Sequence, residues 1–172
     1  MTPLAHAQTN TLNQSNITAF INKTTKLTTG NIDNLSSNKT IEYLEKHLHK
    51  NSHFKTTMRY NIPGYPTQEN TVSINKKEFI NKIRQSTNTI SEYKNEVDIL
   101  QIKISKNKQS ATVETRSKEN TTMPITHDAG SNDIPIEGTS LCRQILKLSK
   151  KGIIQMYNVN CLTDIEFDSG RF

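Results

Sequence analysis

Two apolar-alternating runs near the C-terminus, 141–148 and 153–167, flank the tetrapeptide Ser149-Lys150-Lys151-Gly152. Alternation with period two marks strands, and a Gly-containing turn between two such runs marks a long β-hairpin. A two-residue turn at Lys151-Gly152 sets Lys150 opposite Ile153 and, counting outward, Cys142 opposite Cys161. One face then carries Cys142, Leu146 and Leu148 against Tyr157, Val159 and Cys161. If Gly152 closes a bulged three-residue turn instead, the register moves by one and Cys142 faces Asn160. A disulfide needs Cα atoms within about 7 Å. The first register therefore predicts a Cys142–Cys161 staple between neighbouring strands, and the second a strained or absent bond.

At 172 residues one domain is the default, and the chain is long enough to bury a core. The apolar fraction is low and tryptophan is absent, yet the apolar residues fall into ordered periodic segments, which predicts a small core with polar arms. The net charge of +6 invites a nucleic-acid reading. Lysines are spread along the chain with carboxylates between them, arginines are few, and no aromatic-basic motif occurs, so nucleic acid is not an expected partner. No run is long and apolar enough to span a bilayer. Leu4-Ala5-His6-Ala7 resembles the small-x-small end of a secretory signal, so residues 1–15 are expected to be flexible and to retain part of a cleavage region. Together with two cysteines facing each other in a hairpin, this points to a periplasmic or secreted protein.

Residues 16–168 are expected to form one domain. Ile17, Phe20, Ile21, Thr24 and Leu27 recur at helical spacing, and Gly30 can take the left-handed cap conformation. Ile41, Leu44 and Leu48 predict a second helix over 39–50. Phe54, Thr56, Met58 and Tyr60 alternate as a strand, which Pro63-Gly64 and Pro66 break. Asn75 and Glu78 form a capping box that opens a third helix with Phe79, Ile80 and Ile83 on its apolar face. A turn at Asn107-Lys108 would pair Ile104 with Ala111 and Ile102 with Val113, and the phase change at Leu100 predicts a bulge. Residues 124–139, rich in Pro, Gly, Asp and Asn, read as a long loop. Helices first and hairpins last define an α+β class: three N-terminal helices packed in the concave face of a strongly curved antiparallel sheet, a cone.

That order resembles the nuclear transport factor 2-like superfamily, which includes SnoaL-like cyclases and ketosteroid isomerases. The resemblance rests on Thr29-Gly30-Asn31-Ile32-Asp33 after the first helix, on the hairpin from Ile104 to Val113, and on Lys151-Gly152-Ile153-Ile154-Gln155-Met156. It implies a bent sheet folded around helices with a pocket at the open end, and homodimers through the outer sheet face. It also implies kinship with the VirB8-like domains of secretion assemblies.

In an enzyme of that fold a pocket carboxylate or histidine removes a proton while a tyrosine or second acid steadies the oxyanion. Asp98 is the candidate base, with Asp33, Tyr43, His47 and Tyr60 as further candidates; Tyr157 joins Tyr43, His47 and Tyr60 as a pocket or rim residue. None sits in a motif carried over from the enzymes. His47, His49 and His53 read as a solvated basic helix end rather than a zinc set, and no cofactor motif is visible. The expected function is therefore an exported, non-catalytic binding domain that takes a small apolar ligand in the cone or a protein partner on the open sheet. The alternatives are an isomerase or cyclase with Asp98 as base, and a component of a cell-envelope assembly.

Overall fold

The computed structural model describes residues 10–28, 37–86, 94–127 and 130–167. There are three helices, α1 (Gln14–Thr28), α2 (Ser37–His47) and α3 (Lys76–Ser86). They accompany the strands β1 (Leu48–Asn61), β2 (Gln68–Asn75), β3 (Lys94–Ile104), β4 (Ser110–His127), β5 (Gly130–Leu148) and β6 (Ile154–Phe167). The strands make one sheet in the order β2-β1-β6-β5-β4-β3. All neighbours are antiparallel except β1 and β6, which run parallel. The α+β cone is present, with a mixed sheet in place of a wholly antiparallel one. Parallel neighbours need a long connection, and here α3 and the strands β2 to β5 supply it.

Three helix ends are fixed by named groups. Asn13 caps α1: its side-chain oxygen accepts from the Asn16 N–H, and Asn16 returns the bond to the Asn13 N–H, both at 2.9 Å. Leu12 and Ile17 occupy the staple positions around that cap, and both are fully buried. The Leu12 N–H also donates to the Lys108 carbonyl at 2.9 Å. Residues 10–15, expected to be flexible, are thus docked on the sheet by a cap and a core leucine, while residues 1–9 lie outside the described residues. So do Gly30 and the rest of the segment 29–33.

Helix α2 stops at His47, short of the expected Lys50. Groups from other elements take up its terminal carbonyls, so the chain enters β1 at once. The Lys76 ammonium donates to the carbonyls of Glu45 (2.6 Å) and Leu48 (3.1 Å), and the Gln155 amide to that of Lys46 (3.1 Å). The α3 capping box forms as its spacing implies, Asn75 N–H to Glu78 at 2.8 Å and Glu78 N–H to Asn75 at 3.1 Å. Phe79 then stacks on Phe54 with ring centroids 4.2 Å apart, seating α3 on β1.

The hairpin registers decide which residues face the helices. In β3–β4, Ile104 pairs with Ala111 and Ile102 with Val113, and Leu100 is the extra residue of a bulge. In β5–β6 both features left open by the sequence occur. The turn is the bulged one, with Gly152 at φ 69° and the Ser149 N–H bonded to the Ile153 carbonyl. Leu148 pairs with Ile154 and Leu146 with Met156. A second irregularity at Tyr157 then absorbs one residue, so Ile145 pairs with Asn158 and Cys142 meets Cys161 after all. Two one-residue offsets cancel. The bulge also changes the parity of β6, so Ile154 and Met156 share a face with Val159 and Cys161. The disulfide closes there with Cα atoms 4.1 Å apart.

One strand has no counterpart in the sequence reading, and one expected loop needs correction. Strand β2 follows the Pro-Gly break and pairs along β1 from His53↔Asn75 to Tyr60↔Gln68. Residues 124–127 and 130–139 are strand rather than loop: Pro124 pairs with Asp133 and Thr122 with Pro135 within β4–β5. The described pairing of β4 with β3 ends at Asn120, and that of β5 with β6 at Ile136. Beyond those points, among the described residues, the two strands pair only with each other. Proline, which has no N–H, fits a strand with an unpaired edge, so its presence did not prevent strand formation here.

Candidate functional site

The register places two distinct surfaces on the sheet. On the face away from the helices, Leu162 and Leu141 stand side by side on β6 and β5, with Ile145 along the same strand and Leu100 at the β3 bulge. Leu100 and Leu141 are each 50% exposed, unusual for large apolar side chains. They line an open groove of about 490 Å³ together with Thr57, Arg59, Glu69, Glu114, Arg143, Asn160 and Leu162. Its charged rim is partly self-paired: Arg59 bonds Glu69 at 3.3 Å and approaches Asp164 at 3.9 Å.

The concave face is apolar under the helices, where Phe54, Val113, Leu146, Ile154 and Met156 meet Ile17, Phe20, Ile21, Leu44 and Ile80. Towards the other end its rows turn polar. Thr56, Cys161, Cys142 and Thr115 form one row, and Met58, Thr163, Ser140 and Ser117 the next. These groups bond across the sheet: Ser140 to Thr163 at 2.8 Å, and the Gln144 amide to the Thr115 hydroxyl at 3.1 Å.

The residues proposed for chemistry do not converge. Asp98 lies on the helix-free face, its carboxylate ion-paired with Arg116 at 3.1 Å and 65% exposed. A base aimed into the cone cannot sit there, because residue 98 has the opposite parity to the inward Val97 and Ile99. Tyr43 and His47 pack between α1, α2 and β6. Their rings stack at 4.2 Å, the Tyr43 hydroxyl bonds Thr24 at 3.0 Å, and His47 Nδ1 lies 2.8 Å from the Ile154 carbonyl. Burial pushes the Tyr43 phenol up from its ordinary value, against a smaller opposing effect of the Thr24 bond. The cluster is a helix-to-sheet joint. Tyr60 is half-buried on the concave side of β1, where its hydroxyl donates to the Met58 sulfur at 3.5 Å. Asp33 lies outside the described residues.

Tyr157 was expected inward beside Leu146; the bulge places it instead with Lys147 and His49. The Lys147 ammonium sits 3.6 Å over its ring and His49 packs at 4.9 Å. His53 bonds Ser73 at 2.7 Å, so the three neighbouring histidines take three separate partners. Among the described residues no three His, Cys, Asp or Glu side chains gather as metal ligands.

Burial first, then Lys147, Lys50 and Lys76, hold the His49 imidazole below its ordinary value of 6.5. The folded state thus favours neutral His49. Its contribution to stability is intact above pH 6.5 and declines as the pH falls towards the lowered folded value. An NMR titration should place the His49 midpoint below 6.5, and Lys147→Gln should move it upward; an unmoved midpoint would contradict this electrostatic account.

A bent sheet with three helices against one face is the nuclear transport factor 2-like fold, and this chain has it. Among solved structures, a conserved protein from Planctomyces limnophilus aligns with TM-score 0.54 at 16% identity, over 87% of this chain and 98% of its own. A type 2 hexachlorocyclohexane dehydrochlorinase (LinA) aligns with TM-score 0.54 at 8% identity, over 91% and 92%. A chain of naphthalene 1,2-dioxygenase with indole in the active site aligns with TM-score 0.50 at 8% identity, over 91% and 79%. No protein-family model and no curated protein matches the sequence. The named activities are unrelated, so the fold does not carry one of them to this chain. Among the described residues no helix is long and apolar enough to cross a membrane.

Proposed function

We propose that this chain is a binding domain rather than a catalyst, that it docks through the helix-free face of its sheet, and that it works in an oxidising compartment. The observation that carries the reading is the exposure of Leu100 and Leu141 beside Leu162 in one groove. The groove holds apolar side chains at its centre and charges of both signs (Arg59, Arg143, Glu69, Glu114) around them. An apolar centre ringed by charges of both signs suits a second copy of the chain, since an isologous interface needs a self-complementary patch. The Cys142–Cys161 bond supports the compartment. The separation of Asp98 from Tyr43 and His47 supports binding over catalysis. An apolar ligand in the cone has less support, since the outer rows of the concave wall carry hydroxyls and amides that bond one another.

Size-exclusion chromatography with light scattering tests the interface. The wild-type chain should elute as a dimer, and Leu141→Glu, which changes only an exposed position, as a folded monomer. A monomeric wild-type chain at high micromolar concentration would sink the homodimer.

A further inference from the structure

Lysines that are dispersed in the sequence collect at one end of the folded chain. Four segments build that end: residues 45–50 at the α2–β1 junction, 75–78 at the start of α3, 105–110 between β3 and β4, and 147–155 around the β5–β6 turn. Hydrogen bonds hold them together. The Leu148 N–H donates to the Gln109 carbonyl at 2.8 Å, Gln155 reaches the Lys46 carbonyl, and Lys76 reaches the Glu45 and Leu48 carbonyls.

These segments contain nine of the 22 basic residues and two of the 16 carboxylates. They therefore carry +7, while the rest of the sequence carries −1. Both carboxylates are occupied locally: Glu45 pairs with Lys76 at 2.9 Å, and Glu78 caps α3. Lys46, Lys50, Lys106, Lys108, Lys150 and Lys151 are exposed at turn tips and element ends. Lys147, Lys50 and Lys76 of this set also lie close enough to His49 to disfavour its charged form, after the larger effect of burial.

We propose that this end of the molecule is an electrostatic docking surface for an anionic lipid bilayer. Lysine ammoniums are point charges without the planar fork that suits paired phosphate or base contacts. All nine cations of the four segments are lysine, and no aromatic ring stands in either turn on which a base could stack. Tips contributed by separate segments at one pole match a broad charged plane better than a strand threaded through a groove. Each lysine held near an anionic leaflet adds to the attraction, within a Debye length of the surface.

Vesicle co-sedimentation of the oxidised full chain tests this. Vesicles of equal parts phosphatidylcholine and phosphatidylglycerol should bind the protein at low ionic strength, and phosphatidylcholine alone should not. Binding should vanish near 1 M salt, where the screening length is about 3 Å. The triple variant Lys106→Glu/Lys150→Glu/Lys151→Glu should bind at least about tenfold more weakly. Lys94→Glu/Lys118→Glu, at the opposite end of β3 and β4, should bind like the wild type; circular dichroism and an intact disulfide certify both variants as folded. Equal affinity for neutral vesicles, equal loss in the two variants, or retention of a DNA duplex without vesicle binding would overturn the proposal.

Discussion

Replacing Leu146 with alanine should cost the fold about 3–4 kcal/mol, within the range for leucines deleted from well-packed cores. Leu146 has no exposed surface. It stands between Ala111 on β4 and Met156 on β6, in the middle of the sheet and under the helices. Ala111 is too short to fill the space, and its backbone is fixed by pairing on both sides, so the cavity would persist. Urea denaturation reads the effect as a fall in midpoint at constant slope. A loss below about 1 kcal/mol would mean that the helices are not seated on this row.

Removing the disulfide should have a similar effect by a different route. Cys142 and Cys161 lie 19 positions apart in the sequence, a loop for which the chain-entropy relation gives about 3 kcal/mol. The Cys142→Ser/Cys161→Ser variant should keep its sheet, since Ser140–Thr163 and the backbone ladder persist on either side, but unfold at lower denaturant. The wild-type protein should fall to the same midpoint under reductant. If reductant leaves the wild type unchanged, the bond is not formed in solution.

Features set by neighbours in the chain were legible in the sequence. The α3 cap follows from Asn75 and Glu78 and the β3 bulge from the phase change at Leu100. The opposed cysteines do not follow from one turn: the bulged turn replaces the two-residue one, and the irregularity at Tyr157 restores their pairing. Features set by distant partners were not. Nothing within 39–50 signals that Lys76 and Gln155 will end α2 early. The Tyr157 bulge is visible only once the turn type is known, because each offset alone misplaces the cysteines. Pro124 and Pro135 argued for a loop when no unpaired sheet edge could yet be assigned to them. As for the candidate site, Asp98 and Tyr157 stand on the helix-free side of the sheet, Asp98 through its parity against Val97 and Ile99 and Tyr157 through the β6 irregularity. Leu141 breaks the apolar alternation of its own strand, and the phase change at Leu100 marks an exposed leucine as well as a bulge.

The parallel pairing of β1 with β6 has a consequence for how the protein is made. Leu48 to Asn61 must wait for Met156 to Glu166, more than a hundred residues later, before the centre of the sheet exists. Until β6 has been synthesised, β1–β2 and β3–β5 are two fragments, each with an open flank. Contacts of such long range slow folding and leave partly built sheets prone to association. Nascent chains that stop before β6 should therefore be the species that chaperones retain.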